Sequence, residues 1–285
     1  MDPRATWGLP PLGSLPTVEQ LDEVVTRVLG PNPSPMTLDG TNTYVIGAAG
    51  TGHVLVVDPG PEDPAHLAAV EHVLAGLDAA VRAIVVTHHH LDHAAAAGAW
   101  AERFGVRVLA AGPLTGAATV PVTDGQRIAL TGLEVEVVAT PGHTRDHVAL
   151  RLGTGALLTG DHVLGRGTSV VTHPDGDLEA YLASLRRALD LGPDVLYPGH
   201  GPALGEDPGA VLRYYLEHRR YREQQILAVL AGGPATPRQL VERIYADVAQ
   251  HLWGAAEAST RAAVAMLLTR GQIEHGADDV VRLAA

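Results

Sequence analysis

The run Thr87-His88-His89-His90-Leu91-Asp92-His93 follows the apolar stretch Ala83 to Val86 and precedes an alanine-rich one. A strand over Ala83 to Thr87 and a helix over His93 to Phe104 place it just past the carboxyl end of a strand. That is where α/β proteins assemble their sites. Residues two apart in extended backbone point the same way, so His88 and His90 can face one ion together. Asp92 and His93, past the turn, can aim at a second. His89 interrupts the alternation and is expected to face away. The competing reading is a His-rich loop that binds nothing. Four ligand residues packed into seven positions, in a chain with 15 His, argue against it.

Working outward, short apolar runs that end in polar residues read as strands: Tyr44 to Ile46, Val54 to Asp58, Val106 to Ala110, Arg127 to Leu130, Leu133 to Ala139, His147 to Leu152, Ala156 to Thr159 and Val195 to Tyr197. Helical spacing of apolar residues predicts helices over Pro64 to Ala80 and Leu178 to Leu189, and a short one around Val18 to Leu29. Strands alternating with helices suggest an α/β layered fold. After His200 the pattern turns helical (Asp207 to Leu230, Pro237 to Ala249, Ala255 to Thr269). It closes with two short strands, Gln272 to Glu274 and Val280 to Leu283, the outline of a winged-helix module. The expected division is 1–205 for the catalytic part and 206–285 for the helical part.

Three further ligand-type residues sit just past predicted strand ends: His143 in Thr140-Pro-Gly-His-Thr144, Asp161 in Gly160-Asp-His162 and His200 in Tyr197-Pro-Gly-His-Gly201. A lone loop His is more often a surface residue than a ligand. Together, in this chain order and each beside a glycine that lets the backbone approach closely, the three point to a shared centre.

Composition narrows the chemistry. With no Cys among 285 residues, thiolate metal sites and disulfides are excluded, so any metal is held by imidazole and carboxylate. The 46% hydrophobic and 18% charged content fits a packed globule. A formal charge of −12 disfavours, without excluding, a nucleic-acid partner. No run of about 18 apolar residues and no leader pattern are found, so a cytoplasmic protein that spans no membrane is expected.

These motifs resemble the metallo-beta-lactamase superfamily, with its T-H-x-H-x-D-H string, then a Gly-His, an Asp and a final His. A narrower resemblance is to the lactamase-beta-2-like subfamily. It rests on Pro35-Met-Thr-Leu-Asp-Gly-Thr-Asn-Thr-Tyr44, Thr140-Pro-Gly-His-Thr-Arg-Asp-His147, Gly160-Asp-His-Val-Leu-Gly165 and His218-Arg-Arg-Tyr-Arg-Glu-Gln-Gln-Ile226. The resemblance implies a four-layer αβ/βα sandwich with a small C-terminal winged-helix-like domain. It implies that His88, His90 and His143 hold one metal, that Asp92, His93 and His200 hold a second, and that Asp161 bridges them. Asp92 and Asp161 would then be the catalytic carboxylates, and Asp58 a brace behind the ligands. Five imidazoles and two carboxylates suit two Zn²⁺ ions best, with Fe²⁺ or Mn²⁺ also admissible. Such a pair would share a water ionised near neutral pH, the expected nucleophile.

The expected activity is hydrolysis of an ester, thioester or amide-type bond in a small molecule, lactams included. The alternative is a phosphodiesterase or endoribonuclease acting on single-stranded RNA with the same centre. A third reading, DNA contact by the winged helix, has only Arg261 and Arg270 on the likely recognition helix to support it. Packing on the core or formation of a homodimer is the plainer role for that domain. His147 and His162 can brace ligands or simply be buried. Arg166, Thr168, Ser169 and His173 lie where a substrate-facing loop would follow Asp161. Arg213, Arg219, Arg220 and Arg222, with Glu217 and Glu223 interspersed, read as a solvated, salt-bridged helix face, the sharper alternative being a phosphate or phosphopantetheine contact.

Overall fold

The computed structural model describes residues 1–284. A short 3-10 turn at Pro3–Thr6 leads to strands β1 (Val18–Gln20), β2 (Val25–Leu29), β3 (Asn42–Ile46) and β4 (His53–Val57). Next come α1 (Pro64–Leu77), β5 (Ala80–Val85), α2 (Leu91–Ala94), α3 (Ala97–Phe104), β6 (Arg107–Ala110) and β7 (Thr119–Pro121). The second half of the sandwich holds β8 (Arg127–Leu130), β9 (Leu133–Ala139), β10 (Val148–Leu152), β11 (Ala156–Gly160), α4 (Leu178–Asp190) and β12 (Val195–Pro198). The chain ends with α5 (Pro208–Ala231), α6 (Pro237–Ile244), α7 (Trp253–Thr269) and the hairpin β13 (Ile273–His275) and β14 (Val281–Leu283).

Strands β1 to β7 form one sheet in sequence order, antiparallel as far as β4 and parallel from β4 to β7. The second sheet has the order β12-β11-β10-β9-β8, with only β11 and β12 parallel. Leu55, Val57, Val85, Val137, Leu150 and Leu158 fill the space between the sheets. On the outer face of the first sheet, Val54, Val56 and Ile84 pack with Val70 of α1 and Trp100 of α3. Both faces of β4 are therefore buried, which explains why it reads as an unbroken apolar run rather than an alternating one. The second sheet is covered by α4 and α5, giving four layers, αβ/βα.

The predicted helix at Val18 to Leu29 is overturned: β1 and β2 form a hairpin there, with Glu19 opposite Arg27. Asp22 turns the chain by accepting from the amides of Val24 and Val25, and β-branched residues in Val25-Thr-Arg-Val-Leu29 suit a strand. The helix expected at His93 to Phe104 is split into α2 and α3. The loop carrying Gly60 docks at the break, donating to the His93 carbonyl and accepting from the Ala96 amide.

The three C-terminal helices and terminal hairpin form as the apolar pattern predicts, although α6 stops at Ile244, short of Ala249. Leu185 of α4, Tyr215 of α5, Leu240 of α6, Leu267 of α7 and Val281 of β14 share one apolar core. The helical part thus packs directly on the second sheet's cover. Among the described residues no helix is long and apolar enough to cross a membrane.

Candidate metal centre

Strands β5, β9, β11 and β12 end just before Thr87, Thr140, Asp161 and Gly199, and the loops beyond them meet. His88 Nε2 lies 3.0 Å from His90 Nδ1, and His143 Nε2 lies 3.1 Å from the same atom. His88 can donate Nδ1–H to Thr87 Oγ1, and His143 donates its own to the Val170 carbonyl. Both Nε2 atoms are then acceptors whose lone pairs converge, which is repulsive unless a cation stands between them. Tetrahedral ligands with bonds of about 2.0–2.1 Å are separated by roughly 3.3 Å, close to these spacings.

The second group is Asp92, His93, Asp161 and His200. His93 Nε2 and His200 Nε2 are 3.2 Å apart, and Asp92 Oδ2 is 3.2 Å from His200 Nε2. Asp161 lies between the groups. Its Oδ1 is 3.3 Å from His93 Nε2 and 3.4 Å from His200 Nε2, while its Oδ2 is 3.8 Å from His143 Nε2. Oδ1 is buried without a hydrogen-bond partner, as suits a ligand atom rather than a structural carboxylate. Within each group one atom per residue can be chosen so that all lie within 4.8 Å of one another. The structure thus brings together all seven residues singled out in the sequence.

Behind the ligands stands Asp58. Its Oδ2 accepts from His93 Nδ1 at 2.8 Å and from the Thr87 hydroxyl at 2.8 Å, and its Oδ1 accepts from the Thr87 amide at 2.7 Å. One carboxylate therefore orients His93 directly and His88 through Thr87. The Gly40 carbonyl accepts from His200 Nδ1, and His147 Nε2 accepts the Asp161 amide while Nδ1 bonds Thr140. Thr87, Gly40 and Val170 were missed in the sequence, because a threonine hydroxyl and two carbonyls carry no signal of their own. Gly199 is required by close approach: a Cβ there would fall 2.6 Å from Asp161 Oδ1 and 2.7 Å from the His93 ring.

The two groups differ electrostatically. Burial, then the neighbouring imidazoles His93 and His143, hold His88 well below the usual histidine range. Burial followed by His143 and His89 pushes His90 down to about 4. Burial also lowers His143. In the second group burial is outweighed by carboxylates: Asp161 and Asp58 hold His93 well above its ordinary value, and Asp161 pushes His200 up to about 9. Against burial, His200 and His93 in turn bring Asp92 down to about 2 and hold Asp161 well below the carboxylate range.

His89 turns away, its Nδ1 bonding Asp146 and its Nε2 lying 3.6 Å from Asp175. His162 has no hydrogen-bond partner at either ring nitrogen; it packs on Tyr181 and is a buried neutral residue, not a brace. The expectation for the loop after Asp161 is corrected at Ser169, which is buried with its hydroxyl donating to the Asp161 and His162 carbonyls. His173 is exposed, and Arg166 and Thr168 are half-buried. The solvated-face reading of the α5 arginines holds for Arg213 and Arg220 but not for Arg219, which is 7% exposed and donates to the Ser169 carbonyl. Arg261 is paired with Glu257 and Asp279, and Arg270 with Glu179 and Glu223, so both arginines of the predicted recognition helix are engaged within the chain.

Residues 36–200 match the family described as the metallo-beta-lactamase superfamily, and residues 236–281 match the beta-lactamase associated winged helix domain. The chain belongs to the metallo-beta-lactamase superfamily and is a metal-dependent hydrolase by class. Within it, the chain is 38% identical to a beta-lactamase-like protein 2 homolog of Drosophila melanogaster, over 85% of this chain and 87% of that one. It is 34% identical to an atrochrysone carboxyl ACP thioesterase of Aspergillus fumigatus, over 84% and 80% of the two chains. A metallo-beta-lactamase family protein of Thermus thermophilus superposes with a TM-score of 0.77 at 25% identity, covering 93% of this chain and all of that one.

Proposed function

We propose that the chain hydrolyses an ester, thioester or amide-type bond of a small molecule at a two-ion centre. His88, His90 and His143 would hold one ion, Asp92, His93 and His200 the other, with Asp161 between them. The observation that carries the reading is Asp161, a buried carboxylate whose two oxygens face different ligand groups and whose Oδ1 has no hydrogen-bond partner. The imidazole and carboxylate donors favour Zn²⁺, with Fe²⁺ and Mn²⁺ fitting the same set. When bound, such ions supply a water ionised near neutral pH and a Lewis acid for the carbonyl oxygen.

The chain's own groups do the positioning. Asp58 and Thr87 fix two imidazoles, and Gly40 and Val170 fix two more, so the donors converge without reorganising. Asp92 is the most open of the carboxylates, with a side chain 31% exposed against 12% for Asp161, and stands where it can take up or orient a proton at its Oδ2. An acyl substrate, rather than RNA, is supported by the thioesterase relative and by the net charge of −12. Residues 1–205 are proposed as the catalytic unit and 206–285 as the helical one.

The test is to assay metal-loaded protein against acyl thioesters, a lactone, a chromogenic lactam, bis-p-nitrophenyl phosphate and single-stranded RNA. Turnover of an acyl substrate is expected. Cleavage of RNA or the phosphodiester with no acyl turnover would replace this reading with the endoribonuclease one.

A further inference from the structure

Helix α5 carries Arg219 and Arg222 one turn apart, facing α6 and α7. The Arg219 guanidinium lies 5.0 Å from the centre of the Tyr181 ring, and that of Arg222 lies 4.4 Å from the centre of the Tyr245 ring. Stacking occupies the face of a guanidinium and leaves its N–H edge free. One Arg219 Nη donates to the Ser169 carbonyl and one Arg222 Nη to Gln225. The Nε of each is buried without a partner, although Arg219 is only 7% exposed. Elsewhere on the helix Arg213 pairs with Asp207 and Glu223 with Arg270, but neither Arg219 nor Arg222 has a carboxylate partner among the described residues.

Both arginines line a narrow cleft between the helices, about 330 Å³ counted out to its mouth, together with Tyr245, Ser259 and Thr260. No acidic side chain lines it. The cleft is therefore walled by hydroxyls and by cationic N–H donors with no acceptor to match them. A buried charge in that condition is strongly disfavoured unless a counter-ion joins it. The surplus of positive charge is felt next door: burial, then Arg219 and Arg222, push His218 down to about 4.

We propose that this cleft binds a small oxyanion, a carboxylate or a phosphate group, held by the Nε–H edges of Arg219 and Arg222 and by the Ser259 hydroxyl. Two guanidinium edges match two oxygens of one such group. The narrowness of the cleft limits the ligand to a single anionic group rather than a polyphosphate. The site also touches the catalytic loop at one remove, because Arg219 holds the Ser169 carbonyl and the Ser169 hydroxyl holds the Asp161 carbonyl.

The test uses the metal-loaded full chain and follows thermal unfolding against sodium phosphate, sodium acetate and sodium chloride at matched ionic strength. Wild type is compared with Arg222→Met and Ser259→Ala. Phosphate bound at the metal centre would affect all three proteins alike and cancels in the comparison. The midpoint of wild type is expected to rise saturably with phosphate, acetate or both, but not with chloride. In Arg222→Met the apparent affinity should fall roughly tenfold or more, the loss expected of a charge-assisted hydrogen bond. A response to phosphate alone identifies a phosphate ligand, and one to acetate alone a carboxylate. Equal responses in wild type and Arg222→Met, no response in wild type, or a matching response to chloride would overturn the proposal. Should Arg222→Met fail to fold, Ser259→Ala decides, with unchanged affinity counting against the site.

Discussion

The two ligand groups lie within a few ångströms of each other, yet the chain prepares them in opposite ways. His88, His90 and His143 are imidazoles alone, driven by burial and mutual repulsion to stay neutral, so their lone pairs are available as folded. Asp92, His93, Asp161 and His200 form an internal ion network in which protons on His93 and His200 balance the carboxylates. The difference teaches that a cation entering the first group displaces little, whereas one entering the second must first displace protons.

The largest effect should come from removing the residue the groups share. Asp161→Ala is expected to lower metal content at both positions and reduce turnover by roughly a thousandfold or more, since both the ionised water and the Lewis acid are lost. Elemental analysis beside steady-state kinetics checks it, and unchanged stoichiometry would refute the assignment of Asp161. Next, His90→Ala should cost about one equivalent of metal and leave the carboxylate group loaded, and His93→Ala should do the reverse. If either substitution empties both positions, the groups are one site and the contrast drawn above fails.

The contrast sharpens with pH. His200 is raised from an ordinary value near 6.5 to about 9, so in the metal-free protein its contribution to stability is full below about 6.5 and is lost as pH rises through 9. Metal uptake by the carboxylate group competes with that proton. Its affinity should rise by up to roughly tenfold per pH unit between about 6.5 and 9 for each proton displaced. The three-imidazole group, with His90 already down at about 4, should bind with nearly constant affinity over the same range. Calorimetric titration of chelator-treated protein in buffers of differing ionisation enthalpy counts the protons released. Equal release at the two positions would contradict the contrast.

All seven ligand candidates are legible because each is a His or Asp placed just past an apolar strand, and strand period and glycine neighbours are local signals. What supports them is legible only in part. Asp58 stands out at the end of an apolar run, but Thr87 acts through one hydroxyl, and Gly40 and Val170 through carbonyls that any residue has. Val18 to Leu29 reads wrongly as a helix because its apolar positions fit helical spacing until Asp22 is seen to fold the chain back and pair Val18 with Val28. Arg219 reads wrongly as solvated because the acidic residues beside it in sequence face elsewhere on the helix; only the packing of α5 against Tyr181 shows it to be buried.

The smallest and most discriminating effects concern the brace. Asp58 has a left-handed backbone, φ 51°, which Asn also tolerates, so Asp58→Asn removes charge and one acceptor without adding backbone strain. Because Asp58 serves His93 directly and His88 through Thr87, metal affinity should fall in both groups, by about 10–100-fold. Thr87→Val keeps the backbone amide bond to Asp58 Oδ1 and deletes only the hydroxyl relay. The three-imidazole group alone should then weaken, toward the lower end of that range, with the carboxylate group unchanged. The two affinities, measured by competition with a chromophoric chelator, separate the cases. A Thr87→Val protein that lost metal equally from both groups would mean that the relay through Asp58 does not divide them as the hydrogen bonds indicate.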